Sequence, residues 1–276
     1  MRIALTGASG LVGRWIARAA LAAGHEVDPL PGWRLGHTPD LSRCDALIHC
    51  AFHHLPGKYR GGEGTDRAGF IRANLDGSQA LFHVARGQGV GRVIFMSSRA
   101  VHDGHPAGTE LADGLAPAPT SLYGEVKAQA EAQLAALAAP GFRTASLRPT
   151  GVFGPGQPQK WAGLIRDFLD GHPVPSRVAT EVHGADLGEA AMLVLADPQM
   201  SGSYNVGDLI LDHHELLSGI AVLTGSHHQP PARADASLLR VPLCARLLDL
   251  GWRPDGLARL HADLQSILRD ATGEDA

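Results

Sequence analysis

The sequence predicts an α/β protein in which a doubly wound parallel sheet is followed by a small, mostly helical C-terminal region. Short apolar runs alternate with helical patterns up to Pro149, and this alternation requires crossover connections between parallel strands. A glycine-rich turn joins the first strand to the first helix. Beyond Pro149 the pattern changes to mostly helical segments. These three observations predict a parallel sheet with helices on both faces.

Each element follows from its apolar periodicity and from the residues that bound it. The first strand covers residues 3–5, and the first helix covers residues 11–23 with Gly24 as its C-cap. Up to Pro149 the other strands are predicted over residues 25–30, 46–48, 93–96 and 144–147, and the other helices over residues 66–86 and 121–139. Farther along we expect a Pro/Gly loop over residues 151–158, a strand over residues 204–206, and helices over residues 161–170, 186–196, 213–224, 237–250 and 256–269.

The composition excludes several classes of protein. With 24 Lys+Arg against 28 Asp+Glu the net charge is −4, and no basic run is present, so we expect no nucleic-acid partner. No apolar stretch reaches the ~18 residues of a membrane span, and the first residues lack the pattern of a secretory signal. The cysteines Cys44, Cys50 and Cys244 lack metal-ligand spacing and fit a reducing cytoplasm. Adjacent histidines point to different faces of an element, so no metal site is expected.

The strongest local signal is the sequence TGASGLVG at residues 6–13. Gly7, Gly10 and Gly13 follow the first strand and open the first helix at three-residue spacing. Such a turn lets the pyrophosphate of a dinucleotide approach backbone N–H groups at the positive end of the helix. The sequence therefore predicts a Rossmann-type fold that binds a dinucleotide.

The second signal is the pair Tyr123 and Lys127, which lie four residues apart on a predicted helix and therefore share one face. A lysine ammonium beside a phenol favours the phenolate and lowers a phenol pKa that is ~10 when unperturbed. The pair therefore predicts a proton donor and acceptor that works near neutral pH. Ser97 and Ser98 follow the strand over residues 93–96, at the carboxyl edge where parallel sheets bind ligands.

Together these residues resemble the short-chain dehydrogenase/reductase superfamily, in its extended epimerase/dehydratase branch. The resemblance covers most of the chain, and the motifs occur in the family's order. TGASGLVG resembles TGxxGxxG, DALIHCA at residues 45–51 resembles the strand motif DVVIHLAA, and NLDGS at residues 74–78 resembles NVxGT. Later matches are SSRAVH at residues 97–102 to SSxxVYG, TE at residues 109–110, RPTGVFGPG at residues 148–156 to RPxxVYGPG, YNVG at residues 204–207, and LGWRP at residues 250–254 to LGWxP.

The resemblance implies a role for each matching residue. Tyr123 is the acid/base, Lys127 lowers its pKa and holds the nicotinamide ribose, and Ser98 hydrogen-bonds the reacting oxygen. Pro149 lines the nicotinamide end, and Asn74 braces the site from its helix. Besides Tyr123, Lys127 and Pro149, the residues implied to contact the dinucleotide are Gly7, Ser9, Gly10, Leu11, Val12, Gly13, Cys50 and Ala51.

The chain departs from the family's motifs at two neighbouring places. Arg99 and Ala100 stand where sugar-nucleotide 4,6-dehydratases of this branch carry an Asp-Glu pair, so that elimination has no acid and base and we exclude it. His102 and Asp103 replace the usual Tyr-Gly, which leaves the shape of this loop open.

The segment between residues 30 and 45 is too short for the strand and helix that the family has there, and it resembles the abbreviated region of dTDP-4-dehydrorhamnose reductases. Asp40 and Leu41 are expected to meet the adenine in this segment. An acid at the tip of the second strand would bind the ribose 2′-OH, whereas an arginine would meet a 2′-phosphate. Residues 30–34, LPGWR, contain no carboxylate and offer Arg34, which is equally explained as a surface charge. We expect NAD(P) as cofactor, with NADP slightly preferred.

Several basic side chains are candidates for the substrate. The loop after the strand over residues 46–48 carries Lys58, Tyr59 and Arg60, at the edge of the sheet where the substrate is expected. These groups suit a phosphate or a carboxylate, and a solvated loop without a ligand is the alternative. Arg99 and Arg177 are further candidates in the expected substrate region.

The sequence thus predicts a dinucleotide-binding domain over residues 1–155, to which residues 180–210 return, and a small substrate-binding region over residues 156–276. We expect an enzyme that transfers hydride between nicotinamide and a secondary alcohol or carbonyl carbon, on a sugar or sugar-nucleotide type of substrate. One alternative is a reductase of a small non-sugar carbonyl compound. Another is a non-catalytic dinucleotide sensor, although such proteins typically lose the Tyr or the Lys. Leu134 and Leu137 fit a homodimer face or packing within the chain.

Overall fold

The computed structural model describes residues 1–55, 62 and 64–273. In chain order its strands are β1 (Arg2–Thr6), β2 (Glu26–Asp28), β3 (Ala46–His49), β4 (Arg92–Met96), β5 (Glu110–Leu111), β6 (Arg143–Pro149), β7 (Gly151–Phe153), β8 (Val178–His183), β9 (Gly202–Val206), β10 (Leu209–Asp212) and β11 (Val241–Pro242). The α-helices are α1 (Gly13–Ala22), α2 (Arg67–Ile71), α3 (Gly77–Gly87), α4 (Leu122–Ala136), α5 (Ala162–Leu169), α6 (Gly184–Ala196), α7 (His213–Thr224), α8 (Ala245–Asp249) and α9 (Gly256–Thr272).

The main sheet has six parallel strands in the order β2-β1-β3-β4-β6-β9, which confirms the predicted Rossmann-type doubly wound sheet. The chain moves outward from β1 in one direction to β2 and in the other to β3. The carboxyl ends of β1 and β3 therefore flank the crevice where such sheets bind ligands. β9 joins this sheet beside β6, and α6 packs on α1; both elements lie within residues 180–210.

A second sheet was not expected from the sequence. It contains β10, β8 and β7 in that order, with β7 and β8 parallel and β8 and β10 antiparallel. The segment predicted as a Pro/Gly loop therefore begins as a strand, and the C-terminal region is less purely helical than its pattern indicated. Short strands of three to six residues carry too little periodicity to be separated from loops.

The helix predicted over residues 237–250 is wrong. The structure has a 3-10 turn at Ala236–Leu238, then β11, and a helix only from Ala245. Pro242 lies within β11, where it pairs with Leu111 of β5. A proline cannot donate a backbone hydrogen bond inside a helix, so the apolar spacing of this segment was misleading.

The long helix predicted over residues 66–86 is one continuous helical stretch with a π-helical turn, Arg72–Asp76, between α2 and α3. Asp66 caps its beginning by accepting from the N–H of Gly69. π-Helical turns are rare and are frequent at functional sites. This turn carries Asn74, and it lies against the loop that follows β3.

Apolar side chains fill both faces of the main sheet, with α1 and α6 on one face and α3 and α4 on the other. A third cluster lies between the second sheet and helices α5, α7 and α9. Leu134 is buried among the residues of the second face, while Leu137 is only partly buried. Leu134 is therefore explained by packing within the chain. Of the helices in the described part of the chain, none combines the length and apolarity needed to cross a membrane.

Candidate active site

The glycine turn lies between β1 and α1 and needs glycine for two reasons. Gly7 has a φ of +69°, and a Cβ there would lie 2.7 Å from the backbone nitrogen of Ala51. At Gly13 a Cβ would lie 2.0 Å from the carbonyl oxygen of Gly7. Larger residues would push the turn away from β3 or from the first turn of α1. The turn therefore lies directly between the end of β3 and the start of α1, the place where a dinucleotide pyrophosphate binds in such folds.

A buried hydrogen-bond chain ties this turn to β3. The N–H groups of Cys50 and Ala51 both donate to Thr6 Oγ1 at 3.1 Å. Thr6 Oγ1 lies 2.6 Å from His49 Nδ1, and its hydroxyl donates there because the hydroxyl oxygen already accepts. Burial lowers the pKa of His49 to about 3, so the imidazole stays neutral and can accept this bond.

The same chain continues into the π-helical turn. His49 Nε2 donates to Ser78 Oγ at 3.0 Å, and Ser78 in turn donates to the carbonyl oxygen of Asn74. The Asn74 amide accepts from the N–H of His53 at 2.6 Å and donates to the carbonyls of His53 and Phe70. The geometry fits the bracing role that the resemblance implies for Asn74, since it fixes the loop after β3 on the helix.

A cavity of about 730 Å³ opens over the glycine turn. Four residues predicted to bind the dinucleotide, Gly7, Ser9, Arg34 and Ala51, lie in its wall. The described residues that line it are 6–9, 29–35, 51–53 and 73. The structure thus brings the glycine turn, the shortened segment after β2 and the end of β3 together around one space.

Other predicted dinucleotide contacts lie outside this wall. Leu41 is completely buried in the core, and the exposed Asp40 carboxylate accepts from the Ser42 N–H and hydroxyl. Leu41 therefore packs in the protein interior rather than against an adenine. Pro149 is buried at the end of β6, beside β9. Gly10, Leu11, Val12 and Gly13 form the turn and the start of α1, with Leu11 and Gly13 buried.

Trp33 was not singled out as a site residue, yet it lies in the cavity wall. Its indole N–H donates to the carbonyl of His37 at 2.7 Å, and its ring lies edge-on to His49 at 6.2 Å. The only signal in the sequence was its place beside Arg34 in the shortened segment. Asp28, the last residue of β2, precedes this segment. Its carboxylate accepts from Arg2 Nη2 at 2.9 Å and from the N–H of Leu30.

The predicted catalytic residues are positioned by the carboxyl end of β4 and by the start of α4. Ser98 follows β4 and caps a 3-10 turn, Arg99–His102, by accepting from the N–H of Ala100 at 3.1 Å. Tyr123 lies in the first turn of α4. Gly124 allows the two turns to meet, because a Cβ there would lie 2.7 Å from the Ala100 carbonyl oxygen. Gly124, next to Tyr123, thus has a packing function.

Lys127 is 3% exposed and points into the protein. Its ammonium donates to the Met96 carbonyl at 2.7 Å and lies 4.2 Å from the ring centre of Phe52 and 4.7 Å from that of Phe95. The Tyr123 ring centre is 5.9 Å away. Burial lowers the pKa of Lys127 to about 7, against the opposing effects of Cys50 and Glu131. Lys127 therefore changes charge in the pH range where enzymes work.

His102, which replaces the family's tyrosine, is the last residue of the 3-10 turn Arg99–His102. It is fully buried, and its Nε2 accepts from Arg148 Nη1 at 3.0 Å. Burial and the adjacent Arg148 lower its pKa to about 4, so this histidine is neutral. Arg148 also forms a buried ion pair with Glu131 at 2.6 Å, and this pair anchors α4 on β6.

Of the predicted substrate residues, Arg99 and Arg177 lie in the described part of the chain. Arg99 forms an ion pair with Asp103 at 3.0 Å within its own turn. Arg177 is exposed just before β8, and its carbonyl accepts from the N–H of His213. Lys58, Tyr59 and Arg60 lie outside the described residues, so their assignment stays a prediction.

A largely buried ion pair that the sequence did not reveal lies just beyond Pro149. Lys160 donates to Glu181 of β8, and a Cβ on Gly151 would overlap both side chains. Burial raises the pKa of Glu181 and lowers that of Lys160. In the part of the chain that the structure describes, no group of three or more His, Cys, Asp or Glu side chains is arranged to hold a metal ion.

Comparison with known proteins identifies the family. The model of the NAD dependent epimerase/dehydratase family matches residues 35–207, more than half of the chain. The chain therefore belongs to that family. The 3-beta-hydroxysteroid dehydrogenase of Mycolicibacterium neoaurum is 28% identical over 196 residues, which cover 62% of this chain and 53% of that protein. The UDP-glucose 4-epimerase of Vibrio cholerae is 33% identical over 139 residues, which cover 49% of this chain and 41% of that protein.

The chain spans about half the length of the curated relatives it matches. A solved structure of MoeE5 in complex with UDP-glucuronic acid and NAD is similar over 99% of both chains, with a TM-score of 0.78 and 25% identity. The fold of this chain is therefore similar to that of MoeE5 over nearly its whole length.

Proposed function

We propose that this member of the NAD dependent epimerase/dehydratase family is an NAD(P)-dependent oxidoreductase or epimerase that acts on a secondary alcohol or carbonyl carbon of a sugar or sugar-nucleotide type of substrate. The observation that carries the proposal is the common environment of Tyr123 and Lys127. Both contact Phe52, which lines the cavity over the glycine turn. The UDP-glucose 4-epimerase and the MoeE5 complex support the substrate class.

The residues present fit a dinucleotide. The cavity of about 730 Å³ is bounded by the glycine turn, whose backbone N–H groups and helix start suit a pyrophosphate. Trp33 and Ala51 would hold the adenosine half. Lys127 and Pro149, which the resemblance implies for the nicotinamide half, lie buried outside the cavity wall and stay predicted contacts. When bound, NAD(P) supplies the nicotinamide ring that exchanges a hydride with the substrate carbon.

The protein's own groups would move the proton. The Tyr123 phenol gives its proton to the substrate oxygen in reduction and takes it back in oxidation. The Lys127 ammonium stabilises the phenolate by its charge. Ser98 Oγ accepts from the Ala100 N–H, so its own hydroxyl proton remains to donate to the substrate oxygen and to hold it beside Tyr123.

We further propose that NADP is slightly preferred over NAD. Arg34 is exposed in the cavity wall, where a guanidinium suits a 2′-phosphate. Asp28 at the end of β2 already pairs with Arg2, which leaves it less available to a ribose 2′-OH. Thermal melting with each dinucleotide in parallel tests this, since a ligand at 100 times its dissociation constant adds about 2.7 kcal/mol of stability. If neither dinucleotide raises the melting temperature, the proposed function is wrong.

Tyr123→Phe tests the catalytic part. The variant keeps the ring that packs on Phe52 and removes only the hydroxyl. We expect it to bind the dinucleotide like the wild type and to lose about 100-fold or more in kcat. Wild-type turnover is measured on a panel of sugar-nucleotide and simpler carbonyl compounds. Unchanged turnover in Tyr123→Phe would remove Tyr123 from the mechanism.

A reductase of a small non-sugar carbonyl compound is the second candidate. It is supported by the relation to a 3-beta-hydroxysteroid dehydrogenase, a protein whose name gives a steroid alcohol as substrate. Turnover confined to the non-sugar members of the panel would favour it. A non-catalytic sensor is less well supported, because the chain retains Ser98, Tyr123 and Lys127.

The remaining expectations concern organisation. We propose domain boundaries near residue 155, a cytoplasmic location and a homodimer. Sedimentation velocity tests the homodimer, and a single monomeric species at micromolar concentration would contradict it.

A further inference from the structure

Phe52 occupies the junction between the cavity and the catalytic pair. It follows DALIHCA, at the place where the motif DVVIHLAA has its second alanine. Its ring lies edge-on to Tyr123 at a centroid distance of 5.1 Å and an interplanar angle of 78°. On another side it contacts Phe70 at 5.5 Å. An alanine at this position would make neither contact.

The same ring covers the Lys127 ammonium, whose nitrogen lies 4.2 Å from the ring centre. An ammonium within about 6 Å of an aromatic face is attracted by the negative face of the ring. Phe95 gives a second such contact at 4.7 Å but is buried in β4. Phe52 is therefore the ring that separates the ammonium from the cavity, since it lines the cavity wall.

In the part of the chain that the structure describes, the other groups around Lys127 offer little compensating charge. Burial raises the pKa of the Cys50 thiol to about 12 and lowers that of His49 to about 3, so both are neutral near pH 7. Glu131 lies on the same helix, but its carboxylate is paired with Arg148. The ring centre of Tyr123 lies 5.9 Å from the ammonium. Among the described residues, the direct contacts of the ammonium are thus the Met96 carbonyl and the aromatic faces.

We propose that Phe52 is a positioning residue: its ring holds the Lys127 ammonium in the charged form beside Tyr123 and fixes the orientation of the phenol ring. The inference rests on the proposed function, because it assigns Phe52 to the acid–base pair of that site. It explains why a large aromatic residue stands where the motif has alanine.

The experiment is a direct titration of Lys127. The lysines of this chain are Lys58, Lys127 and Lys160, so 13C-labelled lysine gives a spectrum that three single variants can assign. The pKa of Lys127 is measured without substrate in the wild type, in Phe52→Leu and in Phe52→Tyr. A trifluorinated phenylalanine at position 52 keeps the shape of the ring and weakens its negative face. Phe70→Leu is the matched control, because it removes a ring that contacts Phe52 rather than the ammonium.

We expect the pKa of Lys127 to fall by about half a unit or more in Phe52→Leu and with the fluorinated ring, and to stay near the wild-type value in Phe52→Tyr and Phe70→Leu. The pH profile of alcohol oxidation should move to higher pH in the same two variants, because a less stable ammonium supports the phenolate less. An unchanged titration with the fluorinated ring would overturn the proposal, as would an equal shift in Phe70→Leu.

The titration also separates this inference from the proposed function. If Lys127 shifts as expected but no substrate is turned over, the contact of Phe52 is right and the enzymatic assignment fails. If turnover depends on Tyr123 and Lys127 while substitutions of Phe52 leave the pKa of Lys127 unchanged, the enzymatic assignment stands and Phe52 is only a packing residue.

Discussion

The buried Lys127 and the largely buried Lys160 lie in different halves of the molecule, and their ammonium groups have different partners. Lys127 of the main sheet region donates to a backbone carbonyl and lies against phenyl rings. Lys160, beside the second sheet, forms an ion pair with the buried carboxylate of Glu181. The first ammonium has a pKa lowered to about 7, because burial outweighs the charges near it.

The difference teaches what each charge does. An ion pair inside a protein holds two elements together, and removing one partner leaves the other uncompensated. An ammonium stabilised by a carbonyl and by aromatic faces is less firmly charged and can take part in proton transfer. We therefore expect Lys127 to matter for activity and Lys160 to matter for stability.

The largest effect should follow from Lys127→Met. We expect kcat/KM to fall by a factor of about 100 to 10,000, because the phenolate of Tyr123 loses its stabilising charge. Stability should stay close to wild type or rise, since the variant replaces a buried ammonium with an apolar chain of similar length. Steady-state kinetics and urea denaturation measure the two quantities. A large loss of stability with intact activity would reverse the comparison of the two lysines.

Lys160→Met should show the opposite pattern. Glu181 would be left buried without its partner, at a cost of roughly 3 kcal/mol in the free energy of unfolding. The double variant Lys160→Met with Glu181→Leu should recover most of this loss, because it removes both charges. Urea denaturation of the single and double variants measures the coupling. If Lys160→Met and the double variant are equally stable, the ion pair contributes nothing to the free energy of unfolding.

The pH dependence of stability sharpens the comparison. The native pKa of Lys127 is about 7 and its ordinary value is 10.5, so between these limits the unfolded chain binds more protons than the native one. The free energy of unfolding therefore rises with pH in this window, by up to about 1.4 kcal/mol per pH unit. Lys127→Met removes this contribution, so the free energy of unfolding of the wild type should rise relative to that of the variant between about pH 7 and pH 9. If the two free energies change with pH by the same amount, Lys127 keeps its proton in the native state.

The smallest effect concerns the cofactor side of the main sheet. Arg34→Ser should weaken NADP(H) binding by roughly ten-fold and leave NAD(H) within a factor of about two, because only NADP carries the 2′-phosphate. Arg43→Ser is the matched control, since Arg43 is exposed nearby without lining the cavity. Titration calorimetry measures the affinities. An equal loss for both dinucleotides would leave Arg34 without a role in cofactor choice.

The two halves also differ in how well the sequence predicted them. Up to Pro149, each predicted strand and helix appears within a few residues of its expected bounds, because buried apolar strands alternate there with long, strongly periodic helices and with glycine turns. In the C-terminal half the strands β7, β8 and β10 were missed and one helix was wrong. These strands are short, and their pairing joins segments far apart in the chain, so local patterns carry little information about them.

The candidate site shows the same division. Gly7, Gly13, Tyr123 and Lys127 could be selected from the sequence, because turn geometry and the i, i+4 spacing of a helix are local properties. Trp33 and Phe52 could not, although both lie in the cavity wall. Each is an ordinary apolar residue in its own segment, and only its neighbours in space give it a function.

The sequence by itself determined the fold class, the glycine turn and the pairing of Tyr123 with Lys127 on one helix, because backbone sterics and periodicity act over a few residues. The tertiary structure alone decided what surrounds those groups. The contact of Phe52 with Lys127, the pairing of Lys160 with Glu181 and the burial of Leu41 each depend on distant segments. Charge, burial and pKa are properties of such neighbourhoods, since the dielectric and the partners of a group are set by the packed chain around it.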